Sequence, residues 1–238
     1  CTKDEGERML CFTNNSGPLF IIGTVGITLF GSSSIGILLL ITHILAAITV
    51  AILLGIFSRI RKIKNVSEKF MKKNFSQKNK QDLCTFSNLG EVLSSAIIDS
   101  AKTIIMIGGF VVIFSVIISI LENSKLLNLL SLSIIPICKV FNISNSFASP
   151  IISGLIELTN GVSLVASIPN KAISINIILS AFLLGFGGIS VLLQVLSITS
   201  KSDLSIKKYL IGKLMQGIIA MTYTYILLSV FPILNLNF

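Results

Sequence analysis

The sequence predicts an all-α integral membrane protein. Of its 238 residues, 53% are hydrophobic and only 12% are charged, and the mean hydropathy is +0.91. A soluble domain has roughly 25% charged residues. The chain therefore has too little polar surface to cover itself in water, and the partner implied by its composition is a lipid bilayer.

Uninterrupted apolar segments mark the membrane-spanning helices. Crossing the hydrocarbon core takes about 20 helical residues, and the segments that reach this length are 35–57, 103–121 and 209–231. The second of them continues a helix that begins with an amphipathic part at residue 89. The segment 173–198 is also long, but Gly185, Gly187 and Gly188 interrupt it. We expect it to cross the membrane as a broken helix.

Other apolar segments are too short or too interrupted to be simple spans. Residues 17–30 are too few to cross, and 125–141 are broken by Pro136. Residues 148–168 are punctuated by prolines, glycines and Asn160. We expect 125–141 and 148–168 to be re-entrant or interfacial and to enter from the outer side. Backbone groups freed by a break in hydrocarbon need protein or water as partners.

Basic residues set the expected orientation. Nine of the nineteen Lys and Arg residues lie between residues 58 and 83, and a second basic loop follows at 201–208. Short basic loops stay in the cytoplasm, so we expect residues 59–80 to be cytoplasmic in a multi-pass protein of the cell membrane. Anionic lipid headgroups are suitable partners for such a loop. No nucleic-acid partner is expected, because the basic run carries no motif and is flanked by membrane segments.

The stretch GLIELTNGVSL, residues 154–164, places polar side chains inside an apolar region. An ionisable group at membrane depth costs about 2.5–3.5 kcal/mol on insertion scales and usually faces a cavity or a partner. If the stretch is helical, Glu157 and Asn160 lie on one face, with Thr159 beside them. This pattern predicts half of a polar solute-binding site. The alternative is a structural role, in which Glu157 pairs with a lysine such as Lys213.

The stretch GFGGISVLLQ, residues 185–194, would supply the facing wall of that site. Gly187 and Gly188 could expose backbone amides at a helix N-terminus, where an anion or a carbonyl group is favoured. Ser190 and Gln194 are four residues apart and share a helical face. The alternative is close helix packing through small residues, which is common in membranes.

The stretch FTNNSGP, residues 12–18, has the same character near the start of the chain. Asn14, Asn15 and Ser16 are residue types that cap helices, and we expect them to cap the short helix that follows. The stretch 11–23 can also be laid loosely on 180–192. On that basis Asn14, Asn15 and Ser16 are candidates to join the site as its first-half counterpart, although capping alone explains them.

Two further polar residues lie within predicted spans. We expect His43 to form an interhelical hydrogen bond and Lys213 to extend its amine to the cytoplasmic interface. The four cysteines form no C-x-x-C pair, and the chain has one histidine and no P-loop, zinc-protease or nucleophile-elbow pattern. We therefore expect no metal site, no cofactor and no enzymatic activity.

Residues 7–47, 154–162 and 180–220 resemble sporulation integral membrane proteins of the YlbJ type, within the broader nucleoside-recognition or Gate family. The resemblance implies the C-terminal portion of a longer protein with two Gate-like halves. Residues 1–57 would be the remainder of the first half, 58–90 a basic cytoplasmic linker and 91–238 the second half. It also implies a role in endospore formation and its cortex, without naming a solute.

Two functions fit these expectations. The first is a transporter- or channel-like protein for a small solute, with its site at the broken segments. The second is a non-transporting assembly or scaffold factor of sporulation, acting as a homo-oligomer or with other sporulation membrane proteins.

Overall fold

The computed structural model describes residues 3–66, 89–169, 173–200 and 204–230, which form helices joined by turns. The elements are α1 (Lys3–Thr13), a π-helix (Leu19–Leu29), α2 (Ser33–Val66), α3 (Leu89–Asn123), α4 (Leu126–Ser131), α5 (Ile135–Val140), a 3-10 turn (Asn145–Phe147), α6 (Ala148–Ile156), α7 (Leu158–Ser167), α8 (Ile173–Phe186), α9 (Gly188–Thr199) and α10 (Ile206–Val230). The all-α prediction is confirmed.

Four helical segments are long and apolar enough to cross a membrane: Ser33–Ile60, Leu89–Asn123, Ile173–Thr199 and Ile206–Val230. They agree with the three predicted spans and with the predicted broken fourth span. Helix α2 continues to Val66, so the first part of the basic segment is helical. The rest of that segment, 67–83, lies outside the described residues, and its cytoplasmic location stays a prediction.

The buried core lies where α2, α8 and α10 pack together, with the π-helix and α7 against them. Residues from each of these elements are fully or almost fully buried, among them Ile21, Leu39, Val162, Leu183 and Ala220. Helix α3 is different, because it exposes apolar side chains along most of its length and buries only Phe114 and Ile118. In a bilayer such a surface faces lipid or another membrane helix, which removes the cost that water would impose.

Residues 17–30, too few to span, form the π-helix and fold back onto α2. The chain turns at Gly31, where φ is +68°, a conformation that costs glycine little. A Cβ atom built on Gly26 would lie 2.5 Å from the Cα atom of Gly36. This segment is therefore half of a hairpin, and its contact with α2 depends on paired glycines.

The segment 125–141 forms two short helices, α4 and α5. Pro136 lies in the first turn of α5, where its missing N–H group is not needed for a helical hydrogen bond. Leu129 and Leu132 are exposed while Leu127 and Cys138 are buried. The predicted break in this segment is confirmed, and the side of the membrane on which it lies stays a prediction.

Candidate functional site

Residues 148–168 form a tight helical hairpin. Helices α6 and α7 are separated by one extended residue, Glu157, with φ −138° and ψ 122°. A Cβ atom on Gly161 would lie 1.9 Å from the Cα atom of Gly154, so the two helices touch backbone to backbone. Only glycine at both positions permits this approach. The chain thus reverses direction at Glu157, as expected of a re-entrant segment.

Glu157 lies at the tip of this hairpin and caps α7. Its Oε1 accepts a hydrogen bond from the N–H of Thr159 at 3.0 Å, and its Oε2 accepts one from the N–H of Asn160 at 2.8 Å. The residue is buried, and its charge lies at the positive end of the helix. Its inward orientation is confirmed. The prediction that Glu157 and Asn160 share a helical face is wrong, because Glu157 precedes α7 and reaches over its first turn.

Asn160 connects the hairpin tip to α3. Its Nδ2 donates a hydrogen bond to the Oγ of Ser115 at 3.0 Å. Thr159 contributes its backbone N–H to the cap of Glu157. Ser115 was not among the predicted site residues, because in sequence it is one of two serines in an apolar span.

The second break separates α8 from α9 at Gly187. Gly187 and Gly188 have φ of +86° and +81°, in the left-handed region that favours glycine. No side chain of the described residues caps the N-terminus of α9. Ser190 and Gln194 are buried on one face of α9, and the Nε2 of Gln194 donates to the Oγ of Ser190 at 3.4 Å. The prediction that these two residues share a helical face is confirmed.

The two breaks lie directly against each other. A Cβ atom on Gly188 would be 3.1 Å from the carbonyl oxygen of Gly154, 3.3 Å from that of Ile156 and 3.3 Å from the backbone nitrogen of Leu158. The C-terminal end of α6 therefore faces the N-terminal end of α9. Helix ends of opposite dipole sign attract each other. The expectation that the breaks around Asn160 and Gly187–Gly188 approach each other is confirmed, and the polar pocket expected between them stays a prediction.

The asparagines that precede the π-helix bond different partners from those predicted. Asn14 donates from Nδ2 to the hydroxyl of Tyr209 at 2.7 Å, and the Oδ1 of Asn15 accepts from the Nε2 of Gln216 at 2.8 Å. Among the described residues no side chain caps the π-helix, whose N-cap residue is Pro18, so the predicted capping by Asn14, Asn15 and Ser16 is wrong. The reason is that Tyr209 and Gln216 on α10 bond the side chains of Asn14 and Asn15. Ser16 lies half-buried beside them.

Lys213 is part of the same cluster. The residue is only 4% exposed, and its Nζ donates to the carbonyl oxygen of Asn14 and, at 2.9 Å, to the Oε1 of Gln216. The prediction that Lys213 extends to the interface is wrong, because these acceptors lie inside the bundle. The alternative pairing with Glu157 is also not found, since Glu157 is engaged by the first turn of α7.

Helix α10 links the first break to the second. Gly217, one turn beyond Lys213, packs on α8 so closely that a Cβ atom on Gly185 would lie 2.6 Å from its Cα atom. The glycine break at Gly187–Gly188 and the hairpin tip contact each other directly. The break before the π-helix does not contact the hairpin in this way, because Asn14 and Asn15 bond α10.

His43 does not form the predicted interhelical hydrogen bond. Its neighbour Thr42 does so instead, through a 3.1 Å contact with the hydroxyl of Thr224 on α10. His43 is buried, and neither of its ring nitrogens has a hydrogen-bond partner among the described residues. Gln216 and Tyr209 were also missed, although the three-residue spacing of Lys213 and Gln216 could have suggested a pair on one helical face.

A re-entrant hairpin pressed against a broken span, in a bundle of apolar helices, defines a polytopic membrane protein built around helix breaks. Residues 104–202, from within α3 to beyond α9, match the family model Gate, described as nucleoside recognition. The chain is 33% identical over 231 residues to the sporulation integral membrane protein YlbJ of Bacillus subtilis (strain 168). Over most of its length the chain is therefore similar to a YlbJ-type membrane protein, and part of it matches the Gate family.

The comparisons also set the extent of the similarity. The alignment with YlbJ covers 95% of this chain but 56% of that protein, so the chain spans just over half the length of its relative. The Gate match lies inside the predicted second half, 91–238, whose boundaries stay a prediction. No solved structure matches the chain. Neither description names an enzyme.

Proposed function

We propose that this protein is a transporter- or channel-like membrane protein for a small solute and that it acts in endospore formation, in making the cortex. The sporulation role rests on the similarity to YlbJ. The solute-binding role rests on the site geometry. The proposal also includes a location in the cell membrane, with residues 59–80 in the cytoplasm, which rests on the basic residues of that segment.

The observation that supports solute binding is the contact between the two helix breaks. Gly187 lies near the middle of the Ile173–Thr199 span, and the hairpin tip reaches it at that depth. Breaks in hydrocarbon are tolerated where protein or a water-filled cavity satisfies the freed backbone groups. Paired broken segments near the bilayer midplane are also where secondary transporters bind substrates and ions.

The proposed site has a charged part and a neutral polar part. Glu157 holds the first turn of α7 in place, which fixes the position of Thr159 and Asn160. Ser190 and Gln194 on α9 provide a hydroxyl and an amide, and Gly187 and Gly188 let the backbone approach closely. Asn14 and Asn15 act one step away, through their contacts with Tyr209 and Gln216 on α10, and half-buried Ser16 follows them in the chain.

The second candidate is a non-transporting assembly factor, and one observation favours it. Helix α3 exposes apolar side chains along most of its length, including Ile104 and Ile105. Another membrane helix, from a second copy or another sporulation protein, could cover this face. In that case the polar groups at the breaks only hold the hairpin, as the bonds of Glu157 and Asn160 already do.

Sporulation of the host bacterium separates the two candidates. Gln194→Leu removes a polar group from the proposed site while keeping side-chain size, and Ile105→Ala changes only the exposed face of α3. Membrane levels of each variant are measured in parallel. The transport proposal expects Gln194→Leu to lower spore yield at least tenfold at normal abundance and Ile105→Ala to be silent. The reverse pattern would favour the assembly factor.

A further inference from the structure

Lys213 is a buried cation without a buried anion beside it. Its two hydrogen-bond acceptors, the carbonyl of Asn14 and the amide of Gln216, carry no net charge. The ion pairs found among the described residues join Lys102 to Asp99 and Lys208 to Asp4 and Glu7, and none of them involves Lys213. A buried charge without a counter-charge is strongly unfavourable, so this position calls for a negative partner.

The helix ends near Lys213 add positive potential. The π-helix begins at Leu19, four residues after Asn15, and no side chain of the described residues caps it. Asn14 and Asn15 are the residues bonded to Lys213 and Gln216. Helix α9 begins at Gly188, and no side chain of the described residues caps it. Gly217 of α10 lies close to this helix end, because it contacts Gly185, two residues before Gly187. Helix N-termini carry about half a positive charge. Of the helices that begin at these breaks, α7 has its N-terminus neutralised by a side chain, that of Glu157.

His43 provides a separate observation in the same region. It is buried in α2, and its ring nitrogens have no hydrogen-bond partner in the described part of the chain. Its neighbour Thr42 bonds Thr224 of α10, the helix that carries Lys213. An imidazole N–H donates readily to an oxygen acceptor. The described residues of this part of the bundle thus include a cation whose hydrogen-bond partners are neutral and a potential donor without a partner.

We propose that the solute of this site is a small oxyanion, bearing a carboxylate or phosphate group, and that Lys213 supplies the opposite charge. This inference rests on the proposed solute-binding function and narrows it from any small solute to anionic ones. A neutral nucleoside, which the description of the family model would suggest, would leave Lys213 without a counter-charge.

The test measures protein-dependent uptake into phosphatidylcholine vesicles that contain the purified chain. The probes are radiolabelled inorganic phosphate and acetate, with uridine as a neutral probe and rubidium as a cationic one. We expect uptake of at least one anion to exceed uptake of uridine and rubidium at least tenfold. Lys213→Met should lower the anion uptake at least tenfold, because it removes the charge and keeps the apolar stem.

Two variants guard against misfolding and against nonspecific charge effects. Gln216→Glu places a carboxylate 2.9 Å from the amine of Lys213, so it supplies an internal counter-ion and should also abolish anion uptake while keeping the cation paired. Lys207→Met removes an exposed charge from the start of the same helix and should leave uptake unchanged. The amount of each variant in the vesicles is measured alongside.

The outcomes separate the two levels of the proposal. Uptake of uridine or rubidium without uptake of an anion would overturn the oxyanion assignment and leave the solute-binding function standing. Anion uptake unaffected by both Lys213→Met and Gln216→Glu would overturn the role of Lys213. Uptake of none of the four probes above empty vesicles would overturn the oxyanion assignment together with the transport function.

Discussion

Gly188 lies against Gly154, and a Cβ atom on Gly188 would be only 3.1 Å from the carbonyl oxygen of Gly154. This contact joins the broken span α8–α9 to the hairpin of α6 and α7. The neighbouring atoms are backbone atoms, which cannot move aside as the end of a long side chain can. The two breaks can therefore lie this close only because these glycines carry no side chains.

Gly188→Ala should destabilise the protein. The residue has φ of +81°, a conformation that costs other residues about 1–2 kcal/mol, and the added methyl group would press on the hairpin backbone. The free energy of unfolding in detergent should fall by at least that amount. Gly109→Ala is the matched control, since no atom lies within 4 Å of a Cβ built there. Equal losses at both positions would contradict the close contact.

Glu157→Gln should keep the fold and weaken the hairpin tip. Glutamine has one side-chain oxygen, whereas both oxygens of Glu157 accept hydrogen bonds from α7. It also lacks the charge that favours a helix N-terminus, so we expect a loss of about 1 kcal/mol. The checks are thermal unfolding in detergent and spore yield in the host. Glu122→Gln, at an exposed position near the end of α3, is the control, and full stability with full spore yield for Glu157→Gln would argue against both roles of the carboxylate.

Asn160 and Ser115 should show energetic coupling. Their 3.0 Å hydrogen bond joins the hairpin tip to α3. Interhelical hydrogen bonds in membranes are worth about 0.6 kcal/mol on average in double-mutant cycles. Asn160→Ala, Ser115→Ala and the double variant should therefore give a coupling energy of about this size in chemical unfolding. Strictly additive effects would mean that the bond contributes nothing to stability.

Glu7 should make stability depend on pH in the acid range. Its carboxylate accepts a hydrogen bond from the N–H of Ser205 at 2.8 Å and pairs with Lys208 at 2.7 Å. The hydrogen bond from Lys208 is the largest cause that holds the pKa of Glu7 below its ordinary value of 4.5. Because the folded pKa lies below the unfolded one, the stabilisation is present above about pH 4.5 and is lost as the pH falls through the folded pKa.

A pH series with Glu7→Gln tests this linkage. The difference in unfolding free energy between the native chain and Glu7→Gln should be largest near neutral pH and should shrink below pH 4.5. Lys102→Gln, which removes an exposed pair with Asp99, should show little difference at any pH. A difference for Glu7→Gln that does not change with pH would show that packing, and not charge, holds α1 to α10.

A cysteine at position 73, within the basic segment, should react only from the cytoplasmic side. The background is a chain with its four natural cysteines replaced by serine, and the reagent is a membrane-impermeant maleimide applied to intact cells and to inverted vesicles. The expected orientation follows from the nine basic residues between positions 58 and 83. Ser146→Cys, in an exposed turn before α6, should react from the outer side, and exchange of the two patterns would invert the topology.

The sequence by itself determined that the protein lies in a lipid bilayer and where its membrane-spanning helices lie. Apolar length is enough to identify spans, because a helix satisfies its own backbone and only its surface has to match the bilayer. The glycine pair at Gly187–Gly188 likewise predicted the break in the fourth span, since a left-handed backbone favours glycine. Residues 154–162 and 180–220 also pointed, before any contact was known, to the YlbJ-type and Gate-domain proteins to which the chain is similar.

Only the tertiary structure decided which polar groups meet. Glu157 caps α7 instead of sharing a face with Asn160, because one extended residue changes the register of the helix that follows. Lys213 binds Asn14, and Gln216 binds Asn15, across about 200 residues of chain. No local pattern encodes a contact between residues so far apart in sequence. In a membrane protein, tertiary packing decides which polar groups come together. These groups then bond each other, because an unpaired polar group is costly in the low-dielectric interior.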